Sequence, residues 1–131
     1  MDWFLLGFKR YLEFNGRSRR KEFWMFYLFN VITSITLSLI DVSFSLQVNG
    51  INFLSTLLVI ITVIPWLALS VRRLHDINKS GLFLLLYFVP VIGWIWLFIL
   101  LIKNGDIGPN KYGSDPKNQI SEFDDIGVVR E

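Results

Sequence analysis

Two long stretches of the chain are almost free of charge, and they constrain the fold more than any other feature. Between Glu22 and Arg72 the one charged residue is Asp41, and between Lys79 and Lys103 there is none. Apolar runs of about 18 or more residues with so few charges are typical of transmembrane helices. Because 53% of the 131 residues are hydrophobic, the composition predicts an all-α integral membrane protein and not a soluble domain.

Three hydrophobic membrane segments are predicted, at residues 23–40, 53–71 and 82–102. The third contains Pro90 and Gly93 near its middle. Proline removes a backbone donor and glycine frees the backbone, so this segment is either one kinked span or a re-entrant hairpin that turns between these two residues. Both alternatives remain open at the level of sequence.

The two ends of the chain differ in character from this membrane part. Residues 3–14 are too short to span, and their apolar residues recur at helical spacing, which predicts an interfacial amphipathic helix or a helix packed on the membrane bundle. Residues 1–117 are therefore expected to form a single helical membrane domain. Residues 118–131 are predicted to be a mobile acidic tail.

Basic residues indicate the orientation in the membrane. Residues 9–21 carry six Lys or Arg and residues 72–79 carry three, whereas the connection at residues 41–52 carries none. The positive-inside rule then places the N-terminus and both basic segments in the cytoplasm of a multi-pass protein. If the third segment spans, the tail lies outside; if it re-enters, the tail returns to the cytoplasm.

Five arginines at the membrane boundary are candidates for binding an anion or a lipid headgroup: Arg17, Arg19, Arg20, Arg72 and Arg73. Guanidinium groups bind phosphate and carboxylate with two parallel hydrogen bonds, so converging arginines could clamp such a group. The simpler interpretation is that they follow the positive-inside rule and interact with helix ends.

His75 and Asp76 are the one place where a general acid or base could be built, because the chain has a single histidine. An aspartate in such a position more often pairs with a nearby arginine. A contact with Tyr112 or Asp115 would assemble a polar site from His75, Asp76, Tyr112 and Asp115, but only if both motifs lie on one side of the membrane.

A polar stripe runs along the first membrane segment: Asn30, Ser34, Ser38 and Asp41. These spacings of three and four residues place them on one helix face, which should meet protein or water because lipid cannot satisfy polar groups. Hydrogen bonding between helices is the favoured interpretation. A transport path in an oligomer is the alternative.

Three motifs at membrane boundaries carry a resemblance: Phe14-Asn15-Gly16-Arg17-Ser18-Arg19-Arg20-Lys21-Glu22-Phe23-Trp24, then Arg72-Arg73-Leu74-His75-Asp76 with Ser80-Gly81, then Asn110-Lys111-Tyr112-Gly113-Ser114-Asp115-Pro116. Together they resemble the bacterial inner-membrane family catalogued as domain of unknown function number eight hundred and five, over roughly residues 3–117. The chain departs from the family pattern at Leu82-Phe83, where tryptophans are usual, and at Lys111, where arginine is usual. The resemblance implies a small protein of the bacterial inner membrane and no activity.

The leading functional hypothesis is a non-enzymatic membrane protein whose basic cytoplasmic face binds anionic lipid or a protein partner. The alternatives are an oligomeric small transporter or channel, and a membrane enzyme that acts on a phosphorylated lipid through His75 and Asp76. No cofactor and no metal site is predicted, since the chain has no cysteine and one histidine. A nucleic-acid partner is not expected, whereas a homo-oligomer or a membrane-protein partner is left open.

Overall fold

The computed structural model describes residue 5 and residues 8–117, and the predicted acidic tail at residues 118–131 lies outside this part. The described elements are, in chain order, helix α1 (Arg20–Ser43), strands β1 (Gln47–Val48) and β2 (Ile51–Asn52), helix α2 (Phe53–Asp76), a 3₁₀ helix (Gly81–Phe88) and helix α3 (Ile92–Ile102). The predicted helical class is confirmed, with one short strand pair added.

The first two predicted membrane segments lie within two long helices. α1 and α2 have 24 residues each, and α2 continues past residue 71 to include Arg72–Asp76. At 1.5 Å per residue each helix is about 36 Å long, which exceeds the roughly 30 Å of the hydrocarbon core. By length and composition, both helices are able to cross a membrane.

Both helices carry large apolar side chains on their outer surfaces. Ile35 is 57% exposed, Leu39 64% and Ile60 63%. Water would penalise so broad an apolar surface, whereas lipid would not. The helices therefore differ from the buried core helix of a soluble protein.

The connection between α1 and α2 is a tight hairpin. β1 pairs antiparallel with β2, with Val48 opposite Ile51. Asn49 and Gly50 have φ angles of 53° and 79°, the two positive values that a type I′ turn requires. Asn49 and Gly50 are residue types that adopt these φ angles readily, so the local sequence favours this turn.

The N-terminal helix ends before the predicted residue 14. Residues 5, 8 and 9 are helical, and residues 10–12 form a turn; residues 1–4, 6 and 7 lie outside the described part. Phe8 packs against Phe26 of α1 with ring centroids 5.7 Å apart, whereas Leu12 is exposed. The described part of the segment thus contacts the helix bundle on one side.

The third apolar run is broken into two pieces that fold back on each other. The 3₁₀ helix ends at Phe88 and α3 begins at Ile92, so the break falls within the predicted Pro90–Gly93 region. The indole Nε1 of Trp94 donates to Tyr87 O at 2.8 Å. A Cβ on Gly93 would overlap the carbonyl of Leu86, so only glycine permits this approach.

Both ends of this run lie at the same end of α2. Gly81, where the run begins, lies against Val71. Near the other end, Arg73 Nε donates to Leu101 O at 3.2 Å. The structure therefore contains two long helices and a helical hairpin, and it does not confirm three full spans.

The hydrophobic core lies at the end of the molecule where α1 begins and where α2 and α3 end. Its buried members come from the start of α1, the end of α2 and its following turn, and the end of α3: Phe23, Phe26, Leu69, Leu74, Ile77, Leu97, Leu100 and Leu101. The core packs together the three segments next to which the charged motifs lie.

Candidate functional site

Asp76, the last residue of α2, lies between two buried guanidinium groups. Arg73 NH1 is 2.7 Å from Asp76 Oδ2. Arg17 donates from Nε to Oδ1 at 3.0 Å, and its NH2 is 2.9 Å from the same oxygen. Arg73 and Asp76 are three residues apart and share a helix face. Because buried charges are tolerated only when paired, the three residues form one unit.

The remaining donors of the two arginines hold the segment after α3. Arg73 also donates to Lys103 O, while Arg17 donates to Asp106 O and Gly108 O, each at 2.6 Å. Carbonyls at and beyond a helix C-terminus lack partners within the helix. The cluster therefore ties residues before α1, the end of α2 and the segment after α3 together.

Gly105 allows this segment to pass close to the aspartate. A Cβ at this position would overlap the carboxylate of Asp76, and the neighbouring Asp106 N donates to Asp76 O at 2.7 Å. Gly105 was not among the predicted site residues. Its role depends on a contact 29 positions away, for which a single sequence gives no signal.

His75 and Tyr112, two members of the polar site that the sequence predicts, lie in direct contact. Their rings are stacked, with centroids 3.9 Å apart and planes 3° from parallel. His75 Nδ1 lies 3.1 Å from Gly16 O; because a carbonyl only accepts, Nδ1 carries the hydrogen. Asn110 Nδ2 donates to His75 O at 2.9 Å, so the Asn110–Pro116 motif is docked on the end of α2.

Asp115 organises the docked loop and does not contact His75 or Asp76 directly. Its Oδ2 accepts from Gly108 N at 3.0 Å and its Oδ1 from Lys117 N at 2.9 Å. Burial raises the pKa of this carboxyl, but the bonds from Lys117 and Gly108 outweigh it, and the pKa lies below its ordinary value. Asp115 thus positions Gly108, whose carbonyl Arg17 binds.

Arg72 lies apart from this cluster and faces α1. Its NH2 is 3.8 Å from Glu22 Oε1, and both side chains are buried. Its Nε donates to Ala68 O at 3.4 Å, and its own carbonyl accepts from Ser18 N at 3.1 Å. Glu22 was not among the predicted site residues, although its charge at the start of an apolar run was a usable signal.

The five predicted anion-binding arginines do not converge on one point. Arg17, Arg72 and Arg73 are buried within the protein, and two of them clamp the chain's own Asp76. Arg20 is exposed and donates to Ile102 O and Asn104 Oδ1, and Arg19 is partly exposed. The structure therefore divides the five arginines into a buried group and a surface group, and their binding of an anion or a lipid headgroup stays a prediction.

The polar stripe of α1 faces α2. Asp41 is fully buried and accepts from Leu54 N at 2.9 Å and Ser55 N at 3.0 Å, so it caps the start of α2. Ser38 accepts from Asn52 at 2.9 Å. Asn30 and Ser34 line a cavity of about 430 Å³ between the helices. Asp41 therefore bonds to the first turn of α2, and Ser38 bonds to Asn52, the residue directly before that helix.

Two long helices with apolar outer surfaces, joined at one end by buried charges, place the chain in the class of small helical membrane proteins. The chain belongs to the family described as "Protein of unknown function (DUF805)", whose model matches residues 11–114. The resemblance predicted from its three motifs is thus confirmed.

Two relatives from Escherichia coli (strain K12) are similar over nearly their whole length. "Inner membrane protein YhaI" is 44% identical over 117 residues, which cover 89% of this chain and 97% of that protein. "Inner membrane protein YhaH" is 42% identical over 118 residues, covering 89% and 98%. Both names give a location. No solved structure matches the chain significantly.

Proposed function

We propose that the protein is a non-enzymatic inner-membrane protein whose basic cytoplasmic face binds anionic lipid headgroups. One observation carries the proposal: both ends of the third apolar run lie at the end of α2 that carries Arg73 and Asp76, since Gly81 lies against Val71 and Leu101 O accepts from Arg73. With such a hairpin, every described basic segment lies at one end of the molecule. The location of the relatives in the inner membrane supports the same location for this chain.

The hairpin is suited to enter the membrane from one side and return. α3 has 11 residues, so it reaches about 16 Å, roughly half of the hydrocarbon core. At the tip, Val89 N, Ile92 N and Gly93 N all donate to backbone carbonyls, and Pro90 has no N–H. Three of the four backbone N–H groups at residues 89–93 therefore donate to a backbone acceptor, and a bend at membrane depth needs such bonds.

Charge supports a cytoplasmic position for this end. The connection at residues 41–52 contains no Lys or Arg, so the positive-inside rule assigns it to the outer side. The N-terminus, the end of α2 and the segment after α3 then lie in the cytoplasm. α1 and α2 are the two spans.

The surface at this end carries more cations than anions. Among the described residues at this end, the exposed acidic side chains are Glu13 and Asp106. The exposed basic ones are Lys9, Arg20, Lys21, Lys103, Lys111 and Lys117. Each basic residue near an anionic leaflet contributes about 1 kcal/mol of attraction, so this face favours anionic lipid.

Neither alternative function gains support from the geometry. Asp76 is held by two arginines and His75 is packed on Tyr112, so neither is poised as a general acid or base. Asp41 and Ser38 bond to the neighbouring segment, which leaves only Asn30 and Ser34 of the stripe on a cavity.

Cysteine labelling in intact cells tests the topology, since the natural chain has no cysteine. Single variants Lys79→Cys and Ser114→Cys should be protected from a membrane-impermeant thiol reagent. Val48→Cys, at the exposed turn between the spans, should be labelled and serves as the matched control. Labelling of Ser114→Cys together with Val48→Cys would overturn the hairpin.

Lipid selectivity tests the function. Protein reconstituted in nanodiscs of phosphatidylcholine and phosphatidylglycerol should retain the anionic lipid preferentially, and added salt should weaken this preference. Equal retention of both lipids at low salt would rule out headgroup binding and leave a protein partner as the role of the basic face.

A further inference from the structure

We propose that the seam between the start of α1 and the end of α3 is a binding site for one phospholipid. The lipid phosphate would occupy a basic cavity at the cytoplasmic end, and an acyl chain would occupy an aromatic cavity next to it. This inference rests on the proposed membrane orientation and names the site at which the basic face binds lipid.

The basic cavity has a volume of about 200 Å³ and lies beside the segment after α3. Its lining includes four cationic side chains and two neutral residues of that segment: Arg19, Arg20, Lys21, Lys117, Asn104 and Gly105. Asp76 also borders it, but Arg17 and Arg73 already pair with this carboxylate. The lining therefore contains four cationic side chains and one carboxylate, and the cavity has the size to admit a phosphate group.

The cavity lies at the boundary between apolar helix and polar loop. Arg20, the first residue of α1, donates to Ile102 O at 3.2 Å and to Asn104 Oδ1 at 3.1 Å. Ile102 is the last residue of α3. These bonds fix the two helix ends together at the depth where headgroups begin. The positive end of the α1 macrodipole adds to the cationic potential there.

An aromatic cavity of about 280 Å³ lies deeper along the same two helices and is closed by Trp66 of α2 and Tyr87 of the 3₁₀ helix. On the α1 side its walls include Phe23 and Trp24, and on the α3 side they include Leu97, Phe98 and Leu101. Trp24 lies four residues beyond Arg20, and Phe98 lies four residues before Ile102, so the two cavities are about one helical turn apart.

The pairing of these cavities distinguishes a lipid from a free anion. Inorganic phosphate could fill the basic cavity but would leave the aromatic walls unused. A phospholipid carries a phosphate and an acyl chain in one molecule, and it would contact both. The apolar lining is what favours the lipid.

The test measures lipid that stays bound to detergent-purified protein, by native mass spectrometry after exchange with phosphatidic acid and phosphatidylcholine. The double variant Lys21→Gln/Lys117→Gln should reduce the occupancy of phosphatidic acid roughly 10-fold or more. The control Lys9→Gln/Lys111→Gln removes the same charge from exposed sites on the same face, and it should change occupancy less than about 3-fold.

A second arm separates the two sources of phosphate. Phe98→Ala should weaken binding of phosphatidic acid while leaving binding of inorganic phosphate unchanged, because it alters only the aromatic wall. Displacement of the lipid by inorganic phosphate in wild type and Phe98→Ala alike would assign the cavity to the free anion and overturn the lipid site.

The remaining outcomes separate this inference from the proposed function. Equal losses in the two double variants would overturn the site and leave a diffuse basic face intact. No preference of the wild type for phosphatidic acid would overturn both. Circular dichroism and gel filtration of each variant check that the fold is retained.

Discussion

Arg73 and Asp76 form a 2.7 Å ion pair one turn apart on α2, and both side chains are sealed from solvent. The pair also connects α2 to the end of α3, because Arg73 donates hydrogen bonds to the carbonyls of Leu101 and Lys103. The position of the third apolar run therefore depends on the charge state of two residues that precede it in sequence.

Asp76→Asn should strongly destabilise the protein. The side chain keeps its shape but loses its charge, which leaves Arg17 and Arg73 as uncompensated buried cations. We expect a loss of about 3–5 kcal/mol in the free energy of unfolding, measured by chemical unfolding in micelles with tryptophan fluorescence. Asp106→Asn, at an exposed carboxylate, should stay within about 0.5 kcal/mol. Equal stability of Asp76→Asn and wild type would contradict the role of the cluster.

Gly93→Ala should open the hairpin. The added methyl would overlap the carbonyl of Leu86, so the 3₁₀ helix and α3 would have to separate at a cost of about 1–3 kcal/mol. The unfolding midpoint in micelles should fall accordingly. Ile92→Ala at the neighbouring exposed position is the matched control and should have little effect. If both variants unfold alike, the close approach at Gly93 is not what holds the hairpin.

Tyr112→Ala should loosen the loop at residues 108–117, because it removes the ring stacked on His75. The expected loss is about 0.5–1.5 kcal/mol, read as faster hydrogen exchange in this loop. Tyr112→Phe keeps the ring and should exchange at the wild-type rate. Equal acceleration in both variants would mean that the hydroxyl, and not the stack, holds the loop.

Acid should undock the same loop through Asp115. The pKa of this carboxyl is lower in the folded protein than in the unfolded chain. Its contribution to stability is therefore complete above the unfolded value of ~3.9 and is lost as the pH falls through the lower, folded value. Hydrogen exchange at residues 108–117 should accelerate in that range. Asp115→Asn should exchange faster already at neutral pH and lose this acid dependence.

The two long helices could be predicted from sequence because their cause is local. Runs without charge, ended by Glu22 and Arg72, determine where apolar helices are stable. The third run is equally apolar, so hydropathy could not separate a span from a hairpin. The distinction depends on the close approach of Gly93 to Leu86 O and on the hydrogen bond from Arg73 to Leu101 O. Only the three-dimensional packing reveals the contact between Arg73 and Leu101.

The sequence could predict which residues belong to the candidate site better than it could predict how they are arranged. The motifs correctly indicated that Tyr112 could reach the end of α2, and that an aspartate beside His75 would pair with an arginine. They could not reveal that Arg17 is buried. Its partners Asp76, Asp106 and Gly108 lie 59 to 91 positions away in the chain, and no local pattern reports such distances.

The hairpin, which we propose enters the membrane to half depth, has a consequence for the shape of the molecule. With the proposed orientation, the cytoplasmic leaflet accommodates α1, α2, the 3₁₀ helix and α3, whereas the outer leaflet accommodates only α1 and α2. Such a molecule is a wedge that displaces more lipid area from one leaflet than from the other. A wedge of this kind relieves lateral pressure where the membrane is convex towards the cytoplasm, so membrane curvature would bias where it accumulates.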